Sequence, residues 1–465
     1  MPQLESTAAT VTAPASPPVA QETPRAPRTL ALTSAATAMA LMIYTAPSVT
    51  LPDTVAALHT PVSAQAWLLN GTPLGLAALL LVAGSLADDY GRRRIFVAGT
   101  VALGLTTVLG ALTTSTWLFT LARIAQGASS AAILASSLGL LVQAYPSARG
   151  RLHATGVWGA FVSGGIAVGP LVAGAMPSWR TAYVVLGVAM LVVAALSSRG
   201  LSESRAPRDG RPDLVGAGVF SLALVSLVAA LTLGRDGWLR TPVLLLFAAA
   251  AVLVLAFALI EHRTRTPMID LALLRRPRFL GSAAAGLFTG IAVIGLFSFL
   301  PALIQRTLGF SPMQTAWLFV IWSGLSFLVA LQAKRLAGRV SSRHQLAIGF
   351  ALHAVAIVTM LGAIGAHSWL RMLPGLVIGG VGSGLLNAAL PLVAVESVPA
   401  ARAAMGSGAQ QTFRYIGSCA GVALTVALVT SGGAPAHGAN IALIVSAILA
   451  LVGAAGVLAL RERTV

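Results

Sequence analysis

The sequence predicts an all-α polytopic membrane protein, and three observations lead to that fold class. Of the 465 residues, 57% are hydrophobic and only 9% are charged, whereas roughly a quarter of the residues in a soluble domain are charged. The mean hydropathy is +0.86. Apolar runs of about 20 residues, the length that a helix needs to cross the bilayer core, recur along the chain after its first 28 residues.

Fourteen apolar runs predict fourteen transmembrane helices. They cover residues 30–51, 65–86, 95–114, 117–143, 154–176, 180–198, 213–233, 241–260, 280–304, 313–331, 346–366, 369–394, 404–430 and 439–460. An even number of spans places both termini on one side. If that side is the cytoplasm, the inner segments carry 23 basic residues and the outer loops carry 5. This bias follows the positive-inside rule, so we predict a multi-pass protein of the cell membrane with cytoplasmic N- and C-termini.

The segments outside these spans predict no further folded unit. Residues 1–28 are rich in Pro, Ala, Ser and Thr and contain no apolar run, which predicts a disordered tail and not a cleaved signal peptide. The longest loop, about 261–279, is too short to fold alone, and no loop contains the GxxxxGK[ST] phosphate-binding motif. These features argue against ATP-driven transport and against an enzyme.

Composition also argues against cofactors and against a nucleic-acid partner. Cys419 is the single cysteine, and the seven histidines show no ligand pair at helical spacing, so neither a disulfide within the chain nor a metal site is predicted. The arginines of the inner loops explain the formal net charge of +17. These arginines are therefore predicted to lie at the surface of the lipid bilayer, and no nucleic-acid partner is predicted.

Two arginines, Arg123 and Arg414, lie inside predicted spans. A guanidinium at the centre of a bilayer costs about 2.5–3.5 kcal/mol on insertion scales, so such a residue normally faces a cavity or a partner. Both arginines are therefore candidates for a functional role.

The loop between the second and third predicted spans is unusually rich in charge. It reads GSLADDYGRRRIF over residues 84–96. Gly91 permits a tight turn between two antiparallel helices, and the arginines that follow it anchor the loop at the lipid surface. A topology anchor explains these arginines, but it explains neither Asp88 nor Gly84, which lies seven residues before Gly91.

Two later segments have equally distinctive spacings. LARIAQGASSAA, residues 121–132, contains an arginine, a glutamine and a glycine at Arg123, Gln126 and Gly127. GGIAVGPLVAGA, residues 164–175, contains Gly165, Gly169, Pro170 and Gly174. Its first two spaced glycines form a small-xxx-small face for close helix packing, and its proline removes a backbone hydrogen bond and permits a bend.

Together the three segments resemble elements of the major facilitator superfamily, in the same spans and order. These elements are G-x-L-x-D-x-x-G-R-[RK], R-x-x-Q-G-x-x-x-A and G-x-x-x-G-P-x-x-G-G. The resemblance implies a cytoplasmic gate, in which Asp88 bonds to the positive N-terminal end of the helix that begins near Ala404. The other gate residues that it implies are Gly84, Gly91 and Arg92.

The resemblance also implies roles for residues inside the spans. Arg123 and Gln126 would support the cavity or a proton path, and Gly165, Gly169 and Pro170 would bend the fifth span. Asp89 stands where the family often has a basic residue, so the charge balance of the gate differs from the family pattern.

The span-five element and the span count point to the 14-helix drug:proton antiporter (DHA2-like) group of the superfamily. HRTRTPMIDLALLRRPRF and QQTFRYIGSCAGVAL, residues 262–279 and 410–424, resemble that group's linker before span nine and its span thirteen. The second segment places Arg414 at a position typical of the group. The resemblance implies two six-helix bundles, residues 29–200 and 279–465. Residues 201–278 between them form two inserted helices and their linkers. We predict that the protein is a monomer.

The first span departs from the group's pattern, which has an aspartate that can take up a proton. In MIYTAPSVTLP, residues 42–52, Ile43 occupies that position. Three alternatives stay open. In the first, the proton site is Asp53, which lies about 15 Å further along the helix and near the outer mouth. In the second, His353 takes up the proton, although a lone histidine in a span more often only packs. In the third, an arginine-lined cavity binds a neutral or anionic substrate, and transport is not coupled to a proton in the first span.

The sequence thus predicts a secondary active transporter that exports small lipophilic compounds, drugs or natural products, by proton antiport and alternating access. Asn70, Trp158 and Asn387 are candidate substrate contacts, because they are polar or aromatic residues inside spans. One alternative is a facilitator, or an exporter of neutral or anionic metabolites, that lacks first-span proton coupling and contacts its substrate through Arg123 and Arg414. Another is a membrane protein that transports nothing, such as a sensor.

Overall fold

The computed structural model describes residues 24–205, 213–234, 237–264, 273, 275–332, 335, 340–431 and 435–459, and in that part of the chain the regular structure is helical. Most of the tail and half of the linker before the ninth predicted span lie outside the described residues. The predicted end of the tail at residue 28 falls within the first helix. The first helix begins at Ala26, because Pro27 in its first turn favours a helix start.

The helices follow one another with short connections. They are α1 Ala26–Thr45, α2 Pro47–Ala57, α3 Val62–Tyr90, α4 Arg92–Ala111, α5 Thr116–Ala144, α6 Ala148–Gly174, α7 Trp179–Gly200, α8 Leu214–Leu233, α9 Thr241–Arg263, α10 Pro277–Phe288, α11 Gly295–Leu308, α12 Pro312–Leu331, α13 Ser342–Thr359, α14 Leu373–Glu396, α15 Ala403–Ser431 and α16 Pro435–Ala459. A π-helical segment, Thr289–Ile294, joins α10 to α11.

Length and hydropathy identify twelve segments able to cross a membrane among the described residues, and α1 with α2 makes a thirteenth if that bent pair is one span. The predicted count of fourteen is not confirmed. The difference is α13, which has 18 residues where a span over 346–366 was expected. It begins with the polar residues 342–345, and Gly362, with a φ of +74°, lies in the turn that follows it.

The two largest hydrophobic cores of the described residues divide most of the packing of the helices. The first is formed mainly by α1 and α3–α7 and includes Phe96 and Trp158. The second is formed by helices from α10 to α16 and includes Phe297 and Phe350. We call the two groups of helices the N-half and the C-half. Since lipid is as apolar as a leucine side chain, close packing and not the hydrophobic effect holds such helices together.

Glycines bring the two halves into close contact. A Cβ atom on Gly84 of α3 would lie 2.4 Å from the carbonyl oxygen of Ala404, and one on Gly408 of α15 would lie 2.3 Å from that of Leu80. A Cβ atom on Gly159 of α6 would lie 2.0 Å from the carbonyl oxygen of Asn387 in α14. These distances leave no room for a side chain, so α3 packs on α15 and α6 on α14 backbone to backbone.

The first membrane segment is broken, because α1 and α2 meet at an angle of 46°. The break falls at Ala46, directly before Pro47. Proline has no N–H, so the carbonyl of Ile43, four residues earlier, has no helical donor. The break therefore exposes a backbone acceptor inside the N-half.

Candidate functional site

The end of the molecule that carries the α3–α4 turn is closed by contacts between the halves, and we call it the gate end. Asp88, in the last turn of α3, is fully buried. Its Oδ2 accepts a hydrogen bond of 2.9 Å from the backbone N–H of Met405. Met405 lies in the first turn of α15, where the helix dipole favours a negative charge. The predicted contact between Asp88 and the start of this helix is therefore present.

Arg92, the first residue of α4, connects the same elements from the other side. Its Nε donates to Asp88 Oδ1 at 2.8 Å, and its Nη1 donates to the carbonyl oxygen of Gly139 at 3.0 Å. Its Nη2 reaches the C-half and donates to the carbonyl oxygens of Ala400 and Ala401 at 3.1 and 2.9 Å. One buried guanidinium thus bonds α3, α5 and the turn before α15.

An ion pair also crosses between the halves at the gate end. Arg402 Nη1 donates to Asp89 Oδ1 at 2.7 Å. We call Asp88, Asp89, Arg92 and Arg402 the latch. Sequence reasoning missed the pair of Asp89 and Arg402, although an acidic residue at a position that is often basic in the family was its signal.

Gly91 makes the turn between the two helices of the gate end possible. Its φ is +122°, in the region that favours glycine. A Cβ atom there would also lie 2.7 Å from the carboxyl carbon of Glu203. That carboxylate accepts hydrogen bonds from the backbone N–H groups of Arg93 and Arg94, at the start of α4, where an anion is favoured.

Arg123 lies at the break between α1 and α2. It is fully buried, and its Nη1 donates to the carbonyl oxygen of Ile43 at 3.0 Å and to Gln126 Oε1 at 2.8 Å. Its Nη2 donates to the carbonyl oxygen of Tyr44 at 3.1 Å, and its Nε to that of Leu68 at 3.3 Å. Backbone oxygens thus bind the guanidinium of Arg123. One of them belongs to Ile43, the residue that aligns with the first-span aspartate of the group that the sequence resembles.

Gln126 supports this arrangement from one turn further along α5. Besides accepting from Arg123, it donates through Nε2 to the carbonyl oxygen of Thr106 at 3.4 Å. The freed carbonyl of Ile43 was readable in the sequence from Pro47, but only the fold shows that Arg123 reaches it.

A further polar cluster lies where α6 of the N-half meets α12 and α14 of the C-half. Asn387 Nδ2 of α14 donates to Ser163 Oγ of α6 at 2.9 Å, and Ser163 Oγ lies 2.8 Å from Ser326 Oγ of α12. Arg414 Nη2 donates to Asn387 Oδ1 at 3.3 Å. We call Ser163, Ser326, Asn387 and Arg414 the central cluster. Asn387 therefore binds protein groups of both halves, and whether it also contacts a substrate stays a prediction.

The glycines of the span-five element pack α6 against α1. A Cβ atom on Gly165 would lie 2.4 Å from the carbonyl oxygen of Ala38, and one on Gly169 would lie 2.4 Å from Thr45 Oγ1. Pro170 lies inside α6, which continues as one helix to Gly174. The packing role is thus visible, while the predicted role in bending stays a prediction.

The other candidate residues lie apart from these clusters. Asp53 is exposed on α2 beyond the break, and Asn70 of α3 is half-buried. Trp158 is 2% exposed and donates through Nε1 to Ser137 Oγ at 3.0 Å, within the N-half. His353 is fully buried, with ring nitrogens 3.0 Å from Gly349 O and from Ser383 Oγ, within the C-half. Trp158 and His353 therefore pack inside their own halves.

Comparison with known proteins assigns the chain to a family. The family model of the Major Facilitator Superfamily matches residues 33–422, with a second match over 282–464. The chain belongs to this superfamily. Over 407 residues it is 32% identical to the probable actinorhodin transporter of Streptomyces coelicolor, covering 83% of the chain and 69% of that relative.

Two further relatives support the same assignment. The multidrug resistance protein Stp of Mycobacterium tuberculosis is 31% identical over 389 residues, which are 81% of the chain and 71% of that protein. The methylenomycin A resistance protein of Streptomyces coelicolor is 28% identical over 403 residues, which are 85% of the chain and 84% of that protein. The chain is therefore a multi-pass membrane transporter and not an enzyme, and the drug:proton antiporter group is consistent with these relatives.

A solved structure shows the same fold. The human organic anion transporter MFSD10 (TETRAN) superposes with a TM-score of 0.67 at 16% identity, covering 94% of the chain and the whole of that protein. At this identity the likeness concerns the fold alone.

Proposed function

We propose that the chain exports small lipophilic compounds, drugs or natural products, across the cell membrane by alternating access, as two six-helix bundles rock about a central site. The observation that carries the proposal is the latch, which closes one end of the molecule through contacts between the halves. Breaking those contacts would open that end. The relatives named for multidrug and methylenomycin A resistance support the substrate class.

We place the latch and both termini on the cytoplasmic side. The 23 basic residues of the predicted inner segments support this orientation. The latch then closes the cytoplasmic end, and substrate leaves toward the outside.

Proton antiport is the energy source that we propose. Asp53 is its candidate proton carrier, since it is the acidic residue of the broken first segment and is open to solvent. The test uses purified protein in liposomes loaded with ethidium, a lipophilic cation, with and without an imposed pH gradient. We expect gradient-driven efflux from the wild type and its loss in Asp53→Asn, while Glu396→Gln, which removes an exposed carboxylate from the end of α14, behaves like the wild type.

A second candidate has a specific observation in its favour. Arg123 binds the backbone carbonyls of Ile43 and Tyr44 in place of a first-span carboxylate. This favours a facilitator, or an exporter of neutral or anionic compounds, without first-span proton coupling. Ethidium efflux that is indifferent to the pH gradient and to Asp53→Asn would select the facilitator, and flux of a neutral or anionic probe without ethidium efflux would select the exporter of such compounds. Absence of flux of any probe would contradict all of them.

A further inference from the structure

The two arginines of the spans lie in different surroundings. Arg123 makes four hydrogen bonds, to three backbone carbonyls and Gln126. Among the described residues Arg414 makes one, the 3.3 Å bond to Asn387, although a guanidinium carries five N–H donors. Arg123 is thus occupied by the protein itself, whereas Arg414 has donors to spare.

No carboxylate faces Arg414 among the described residues. The titratable side chains near it are those of Tyr44 and Tyr415, which are neutral at pH 7. Its Nε is buried without a hydrogen-bond partner in the part of the chain that the structure describes. A charge shielded from water normally has a counter-charge or a full set of hydrogen bonds, and the partly exposed Arg414 has neither among the described residues.

Asn387 alone cannot satisfy the five N–H donors of Arg414. Its amide nitrogen donates to Ser163, and its carbonyl oxygen, which can accept two hydrogen bonds at most, accepts one from Arg414. One turn earlier on α15, the Nε2 atoms of Gln410 and Gln411 are also buried without partners in the described chain. This stretch of α15 therefore has a surplus of N–H donors, which an acceptor-rich group would satisfy.

Two tyrosines near Arg414, Tyr44 and Tyr415, come from different halves. The rings of Tyr44 on α1 and Tyr415 on α15 meet edge to face, with centroids 6.3 Å apart. Arg414 retains partial exposure, unlike the fully buried Arg123. A ligand at Arg414 would thus meet a positive charge and aromatic surface together.

We infer that Arg414, positioned by its hydrogen bond to Asn387, binds the acidic group of a lipophilic substrate, a carboxylate or a phenolate on an aromatic ring system. A guanidinium bonds the two oxygens of a carboxylate through parallel N–H donors, and its bonds to either anionic oxygen are stronger than those to a neutral acceptor. The inference rests on the proposed export function and adds the charge of the substrate. It assigns the two arginines separate tasks, since Arg123 stabilises the broken first segment while Arg414 binds the ligand.

The test compares two probes that differ only in charge, 1-naphthoate and 1-naphthamide. Ligand binding raises the unfolding temperature of the purified protein in detergent as the concentration exceeds the Kd. We expect naphthoate to bind the wild type more tightly than naphthamide. In Arg414→Gln the naphthoate affinity should fall by about 30-fold or more, as for a truncated buried charge contact. Arg371→Gln, which removes an exposed guanidinium, is the matched control and should bind like the wild type.

Asn387→Asp guards against a failure of Arg414→Gln to fold. This variant keeps Arg414 and supplies a carboxylate at the atom that its Nη2 already contacts, so naphthoate affinity should fall while naphthamide affinity stays unchanged. Wild-type affinity for naphthoate in either variant overturns the inference, as does equal affinity of the wild type for both probes, or no shift with either.

Failure of the export function gives a different result. If the wild type binds naphthoate through Arg414 but moves no probe across liposomes, the anion site stands and export is wrong. If the wild type exports ethidium while Arg414→Gln binds naphthoate normally, export stands and the anion site is wrong.

Discussion

Neutralising Asp89 or Arg402 tests whether the ion pair between the halves holds the gate end closed. The Asp89 side chain is 2% exposed and the Arg402 side chain 26%. An exposed ion pair contributes about 0.2–1 kcal/mol, whereas breaking a buried pair costs about 3–5 kcal/mol. Because one partner is buried and the other partly solvated, we expect Asp89→Asn to favour opening by about 1–2 kcal/mol, which is roughly a 5- to 30-fold change in the ratio of open to closed molecules.

Double electron–electron resonance measures that ratio. Spin labels at Arg149 of α6 and His344 of α13, both exposed near the gate end, report the separation of the halves in a Cys419→Ser background. Asp89→Asn and Arg402→Gln should each enlarge the long-distance population. The long-distance population of the double variant should be little larger than that of either single variant, because both single changes remove the same interaction.

A matched control separates this effect from a loss of surface charge. Arg94 pairs with Glu203 at 3.7 Å within the N-half, so Arg94→Gln should leave the distance distribution unchanged. Unchanged distributions in both single variants, or strictly additive shifts in the double variant, would refute the assignment of Asp89 and Arg402 to the latch.

Three further predictions follow from the packing and the broken first segment. Gly84→Ala places a Cβ atom 2.4 Å from the Ala404 carbonyl oxygen and should cost the closed state about 1–3 kcal/mol, seen as a larger long-distance population with the same labels. Arg123→Lys leaves at least one buried acceptor unsatisfied and should lower the stability by about 1–3 kcal/mol, measured by thermal unfolding in detergent. Ile43→Asp puts a carboxylate beside Arg123 and should make ethidium efflux faster under a pH gradient, whereas Ile43→Asn should not.

The predictable part of the fold is what local sequence determines. Apolar runs located the helices, because a chain in lipid must satisfy its backbone hydrogen bonds within each span. The count of fourteen is not confirmed at α13, where the polar residues 342–345 shorten the apolar stretch and a left-handed Gly362 lies in the turn beyond it. The gate contact of Asp88 with the helix that begins near Ala404 came from the family resemblance, and the structure contains it.

The remaining features depend on residues far apart in the chain. Nothing near Arg123 in sequence shows that it reaches the carbonyl of Ile43, 80 residues earlier. The contact of Ser163 with Asn387 joins residues separated by 224 positions. Trp158 looked like a cavity residue because tryptophan is polar at one edge, but its N–H is used by Ser137 in the same half. Pairing of this kind appears only when the helices are packed.

The most direct test of alternating access through the latch is a reversible cross-link across the gate end. Asp89→Cys with Arg402→Cys, in a Cys419→Ser background, places thiols at two residues whose side chains meet across the halves. A short bis-methanethiosulfonate reagent would tie them, and a reductant would release them. We expect ethidium efflux from liposomes to proceed before linking, to stop when the thiols are linked and to return on reduction. Efflux that continues unchanged in the linked protein would contradict alternating access through the latch.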